Sequence, residues 1–130
     1  MKTAPVTILL VDDEASVRRF VHTALLEFGY EDILDAGDAE RAVDIVEKIG
    51  KPIHLLLSDI MLGGGATGID LAKTVTDSRP ATKVILMSGY PNQPIELKPG
   101  WQFIPKPFVP SQLLTMVHRI LETPEAQILA

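Results

Sequence analysis

Short runs of nearly continuous apolar residues alternate along this chain with longer stretches whose apolar positions recur every three or four residues. Val6 to Val11 is apolar almost throughout and too short for a helix, which predicts a strand buried on both faces. From Glu14 to Phe28 the apolar positions are Val17, Phe20, Val21, Ala24, Leu25 and Phe28, the spacing of a helix with one buried face, ended by Gly29. Ile33 to Ala36 predicts a second strand, and Asp38 caps a helix that runs to Ile49 before Gly50 and Pro52. Ile53 to Leu57 predicts a third strand with Asp59 just past its end. The loop from Gly63 to Gly68 then leads as a flexible linker into a helix over Ile69 to Ser78. Val84 to Met87 and Trp101 to Ile104 supply the fourth and fifth strands. Pro110 opens a final helix with the stripe Leu113, Leu114, Val117, Ile120 and Leu121. Between the last two strands Pro91, Pro94 and Pro99 make poor helix material, so a fourth helix there is expected to be one turn or missing.

Five strands alternating with helices predict an α/β fold: a parallel five-stranded sheet, doubly wound, with helices on both faces. Folds of this class bind ligands at the carboxyl ends of their strands. Asp12, Asp13 and Glu14 follow the first strand, Asp59 the third, Ser88 the fourth, and Lys106-Pro107 the fifth. Carboxylates converging on one edge repel unless a cation joins them, and hard oxygen donors suit Mg²⁺ (or Mn²⁺). A lysine and a hydroxyl at the same edge complete the set that stabilises three phosphoryl oxygens during in-line transfer to a carboxylate.

Composition narrows the remaining classes. A chain of 130 residues, 46% hydrophobic, suits a single domain with its core over about residues 6–122 and a short tail over 123–130. With no cysteine, disulfides and thiol catalysis are excluded for these residues. No apolar run approaches the ~20 residues of a membrane span, so no membrane partner and a cytoplasmic location are expected. A net charge of −5 argues against direct nucleic-acid binding, which depends on Lys and Arg neutralising phosphates. The glycines at 63–65 lack the Gly-Lys-Ser/Thr ending of a phosphate-binding loop. His22, His54 and His118 lie on separate elements without ligand spacing and read as structural or surface groups, while Trp101 and Tyr90 read as packing residues near the site or its rim.

The pieces Ile8-Leu9-Leu10-Val11-Asp12-Asp13-Glu14, Leu57-Ser58-Asp59-Ile60-Met61, Met87-Ser88-Gly89-Tyr90 and Pro105-Lys106-Pro107-Phe108 resemble the receiver domain of two-component response regulators. The resemblance covers about residues 6–122, with four motifs in the family's order. It implies a flavodoxin-like (βα)5 fold in which Asp59 accepts a phosphoryl group from a sensor histidine kinase or phosphotransfer protein. It also implies a Mg²⁺ pocket formed by Asp12 and Asp13 with Asp59 and the backbone carbonyl of Met61. Ser88 becomes the switch hydroxyl, Lys106 the phosphate-contacting base ahead of a cis Lys106-Pro107 bond, and Phe103 the switch aromatic. Met61 and Tyr90 fall beside the path of a hydrolytic water, where neither is suited to orient one. The family relays its signal to a downstream protein target without separate substrate turnover. Eight residues after Glu122 hold no output domain, which fits a stand-alone receiver or one belonging to a hybrid kinase.

Three features depart from the family pattern. The glycine-rich loop after Asp59 is about one residue longer than usual, the segment from Ser88 to Lys106 is a few residues short, and Phe103 stands where Tyr is commoner. Three rival readings remain to be weighed. A Mg²⁺-dependent phosphatase of the haloacid dehalogenase type needs an acid two positions after its nucleophile, and here that residue is Met61. A receiver-like interaction module that works without phosphorylation usually lacks an acid or the lysine, and this chain has both. A flavodoxin-like cofactor binder is disfavoured because Asp12-Asp13-Glu14 would repel a phosphate.

Overall fold

A computed structural model describes residues 5–89 and 97–122. The elements run β1 (Thr7–Val11), α1 (Ala15–Glu27), β2 (Asp32–Ala36), α2 (Ala39–Lys48), β3 (Leu55–Asp59), α3 (Gly68–Ser78), β4 (Lys83–Ser88), β5 (Trp101–Pro105) and α4 (Pro110–Glu122). All five strands are parallel, in the order β2-β1-β3-β4-β5. The order reverses between β1 and β3, and a crevice for ligands opens at such a reversal.

Burial along each strand follows its place in the sheet. Every residue of β1 and β3 is buried, and so is all of β4 after Lys83, because helices cover both faces of the central strands. Edge strands β2 and β5 are only partly buried. Alternate residues feed two cores. Leu9, Val11, Leu56 and Leu86 pack with Ala42, Val46, Leu71 and Val75 from α2 and α3. Ile8, Leu10, Leu57 and Ile85 pack with Val21 and Leu25 of α1 and Leu113, Val117 and Ile120 of α4.

Local chemistry sets the helix ends. The Asp38 carboxylate accepts the Arg41 amide at 2.7 Å, as its capping position predicts, and Thr67 Oγ1 accepts the Asp70 amide at 3.1 Å to start α3. At the other end of α2, the Arg79 guanidinium donates to the carbonyls of Val46 and Ile49.

Several expectations need correction. Phe20 and Phe28, assigned to the buried stripe of α1, are 48% and 51% exposed, since their positions on the helix flank the contact with the sheet. On α4, Leu114 and Leu121 are half-buried. Strand β3 begins at Leu55 and runs through Asp59, so the aspartate is its last residue. Trp101 is buried at the start of β5, paired with Val84, at the opposite end of the sheet from the acidic edge. The glycine loop is a closed turn rather than a flexible linker. Gly63, Gly64 and Gly65 all adopt positive φ, Ala66 donates to the Gly63 carbonyl at 3.1 Å, and Met61 bridges Thr67. Among the described residues there are four helices, and the proline-bearing stretch 90–96, with the Tyr90 assignment, lies outside them.

Gly68 sits where α3 meets the end of β3. Its amide donates to the Ile60 carbonyl at 2.7 Å, and a Cβ added there would lie 2.1 Å from the Asp59 carbonyl oxygen. The closest atoms are the Asp59 carbonyl oxygen and carbon, backbone that cannot swing aside, with Ser58 Oγ at 2.9 Å. Gly68→Ala is therefore expected to cost about 2 kcal/mol or more of unfolding free energy, read from urea melts. Unchanged stability would show that α3 can withdraw from Asp59 freely.

Candidate functional site

The strands deliver their polar ends to one edge because their interiors are apolar. Asp12 follows β1, donates its amide to the Ala36 carbonyl at 3.2 Å, and is fully buried. Asp59 ends β3 and is 6% exposed, while Ser88 ends β4 and is 2% exposed. The ladder continues past the strand ends: Ile60 donates to the Met87 carbonyl at 2.9 Å and Lys106 to the Ser88 carbonyl at 2.7 Å. These bonds bring β3, β4 and the loop after β5 into register at the edge. The Lys106–Pro107 peptide bond is cis.

Lys106 reaches back over this edge. Its Nζ donates to Asp59 Oδ2 at 3.1 Å and to Asp12 Oδ2 at 3.2 Å. Burial works to lower the pKa of the ammonium, but Asp59 and Asp12 outweigh it and hold the group above the ordinary lysine value. Burial pushes the Asp12 carboxyl above its ordinary value, against the opposing pull of the Glu14 amide and Lys106. An acid raised in this way opposes folding while it is ionised, and the penalty fades as pH falls through its raised pKa. The pair is thus compensated in part, and further positive charge at the edge would be favourable.

Carboxylate oxygens of Asp12, Glu14 and Asp59 lie within 4.8 Å of one another. Three hard oxygen donors at this spacing fit a small divalent cation, which would keep several of its waters. Asp13 is exposed, and its Oδ2 stands 3.4 Å from the point a Cβ on Gly63 would occupy. Its carboxylate thus lies against the glycine turn, outside the group of three. Met61 is 48% exposed and its amide donates to Asp59 Oδ1 at 3.3 Å. Phe103 is half-buried on β5 and packs with the α2/α3 core. It pairs with Leu86, two residues before Ser88, so Phe103 and Ser88 share one face of the sheet.

Sequence reasoning placed Glu14 at the acidic edge but left it out of the assigned pocket, and it missed Gly68 and Arg18. Glu14 is one of the grouped acids, although its place at the N-cap of α1 reads as a helix start. Gly68 is required by the Asp59 carbonyl, and a glycine opening a helix after a tight turn was the available signal. Arg18 donates to the Asp12 carbonyl at 2.6 Å, a contact that no spacing reveals. The three histidines are dispersed, as expected: His54 Nδ1 accepts the Thr7 amide, His22 contacts Asp35, and His118 meets the ring of Phe28 edge-on.

A family model for the response regulator receiver domain matches residues 8–118. The chain is 34% identical over 122 residues to the sensor kinase CckA of Brucella abortus, covering 89% of this chain and 12% of that protein. It is 32% identical over 124 residues to the chemotaxis protein CheY1 of Helicobacter pylori, covering 89% of this chain and 97% of that one. The crystal structure of the receiver domain from the hybrid histidine kinase CckA superposes with a TM-score of 0.76 at 33% identity, over 89% of this chain and 99% of that one. A CheY-like receiver domain protein from Methanospirillum hungatei gives 0.77 at 26% identity, over 92% and 95%. Other curated relatives are longer, the chain spanning 25% of the NtrC regulator from Bradyrhizobium and 53% of PetR from Rhodobacter capsulatus. Because the match runs from β1 into α4 and takes in all four motifs, the chain belongs to the response regulator receiver domain family.

Proposed function

We propose that Asp59 is the phosphoacceptor of this receiver domain. The observation that carries the reading is the buried Asp59 carboxylate at the end of β3, 3.1 Å from a lysine ammonium and grouped with two further acids. Receiver domains are the phosphoacceptor modules of two-component signalling, and this chain is one of them. An Asp59 oxygen attacks phosphorus in line, the bond from phosphorus to the donor imidazole breaks, and its electron pair leaves with the imidazole. Lys106, already at the carboxylate, meets the developing charge on the phosphoryl oxygens, and the Ser88 hydroxyl at the end of β4 offers a hydrogen bond to them.

The acids that would hold Mg²⁺ (or Mn²⁺) are Asp12, Asp13 and Asp59 with the Met61 carbonyl, and Glu14 joins them on its proximity. When bound, the ion supplies charge neutralisation at the transferring phosphoryl group. A sensor histidine kinase or phosphotransfer protein is the donor and a protein surface the target, in the cytoplasm and without separate substrate turnover. Among the described residues no helix is long and apolar enough to cross a membrane. Read-out passes from Ser88 to Phe103 on their shared face, because a hydroxyl drawn toward the phosphoryl group vacates space that the ring can fill. The single domain over 1–130 works through this switched surface. An interaction module indifferent to phosphorylation would have no use for a buried, lysine-bridged acceptor.

Incubation with acetyl phosphate and Mg²⁺ is expected to place one phosphoryl group on Asp59, located by mass spectrometry. Asp59→Asn keeps the shape and removes the nucleophile, so labelling should vanish with the fold intact. Labelling of that variant, or labelling in excess chelator, would defeat the assignment. Met61 is apolar and Tyr90 bulky, neither well suited to line up a hydrolytic water, so the label should decay slowly and the double variant Met61→Asn, Tyr90→Glu should lose it faster. Equal decay would show that water positioning does not set the lifetime.

Metal binding has its own readout. Mg²⁺ bound only to the folded state should raise the melting temperature with concentration, by about 2.7 kcal/mol of stability at a hundredfold excess over Kd. Asp13→Asn should blunt this response, and comparison with Glu14→Gln identifies which acid completes the pocket. A melting curve unmoved by millimolar Mg²⁺ would count against a metal site.

A further inference from the structure

We infer that Arg18 is a positioning residue for the acidic pocket, acting through the Asp12 carbonyl; the inference rests on the Mg²⁺ reading above. Arg18 lies in the first turns of α1, where side chains tilt back toward the helix N-terminus. Its Nη1 donates to the Asp12 backbone oxygen at 2.6 Å. The guanidinium also lies along Gly37 at the start of the β2–α2 turn, where an added Cβ would stand 3.4 Å from Nη1 and 3.8 Å from Cζ. Asp12 is held from its other side as well, through its amide on the Ala36 carbonyl at 3.2 Å. The amide of the first acid is therefore tied to the end of β2 and its carbonyl to Arg18 of α1, whose guanidinium lies beside Gly37.

A peptide unit is planar, so fixing the Asp12 oxygen also fixes the direction in which the chain leaves toward Asp13. That single plane governs where the Asp12 and Asp13 side chains depart. The Glu14 amide, in the next peptide unit, donates back to Asp12 Oδ1 at 2.9 Å and closes the turn that follows. Free of Arg18, the Asp12–Asp13 peptide could rotate as a unit and carry the carboxylates away from Asp59. The planar fork of arginine suits this task, since it can lie against Gly37 while it donates to a carbonyl.

Charge and positioning predict opposite signs, which makes the inference testable. Arg18 places a positive charge near a site that attracts cations, so loss of that charge alone would tighten Mg²⁺ binding. Loss of positioning would weaken it. The experiment measures the Mg²⁺ dissociation constant by titration calorimetry for the full chain, Arg18→Met and Arg18→Lys, alongside their metal-free melting temperatures. We expect Arg18→Met to bind Mg²⁺ about tenfold more weakly, the scale on which partners behind metal ligands act. Arg18→Lys, which keeps the charge and one donor, should fall between. Tighter binding by Arg18→Met, or a lowered melting temperature with an unchanged dissociation constant, would overturn the positioning role. No Mg²⁺ binding by the parent chain would overturn the metal reading itself, a result distinct from either.

Discussion

One ammonium group, shared between two buried carboxylates, holds the functional edge of this domain together. Lys106 Nζ stands 3.2 Å from Asp12 and 3.1 Å from Asp59, and so links the ends of β1 and β3 to the loop after β5. Two acids at the end of an apolar sheet cannot both stay ionised without compensation, because burial penalises each charge and their repulsion adds to it. The lysine provides that compensation and leaves part of the demand unmet, since burial still holds Asp12 above its ordinary pKa. The resulting site favours added positive charge and presents a carboxylate beside a cation, which is what phosphoryl transfer to an aspartate requires.

The sheet makes this arrangement possible. Strand order reverses between β1 and β3, so the two acids stand on adjacent strands, with register pairing Val11 to Ser58 at the same level. Apart from Lys83, which opens β4, the central strands are buried throughout, and charged residues otherwise arrive only where they end. Gly68 lets α3 approach the Asp59 carbonyl, and the turn at Gly63–Gly65 returns the chain to make that approach. Tight backbone packing behind Asp59 and charge compensation in front of it are separate constraints that meet on one residue.

Most of the architecture was readable from hydrophobic periodicity, because the buried strands and amphipathic helices are dictated by which faces must leave water. Val6–Val11 and Val84–Met87 could hardly be anything but buried strands, and the Asp38 cap was legible from residue type alone. Periodicity was less informative where contact is partial. Phe20 and Phe28 carry the helical spacing yet flank the contact, since the spacing marks a face and not its width. The end of β3 was misjudged because Ser58 and Asp59 continue the ladder despite being polar: the ladder is made by backbone, and side-chain polarity does not end it. Trp101 reads as a packing residue near the site or its rim, whereas its position at the start of β5 puts it at the far end of the sheet. Within the site, the four motifs announced Asp12, Asp59, Ser88 and Lys106. Gly68 and Arg18 act on backbone oxygens, and contacts to backbone leave no pairwise signature in one sequence.

The claim that Lys106 stands in for positive charge at a carboxylate pair is tested most directly by removing that charge. In Lys106→Met, the Mg²⁺ dissociation constant measured by calorimetry should fall, because the ion no longer competes with an ammonium for Asp12 and Asp59. Phosphorylation of Asp59 by acetyl phosphate at saturating Mg²⁺ should slow in the same variant. Unchanged or weaker Mg²⁺ binding, with phosphorylation as fast as in the parent, would contradict the account.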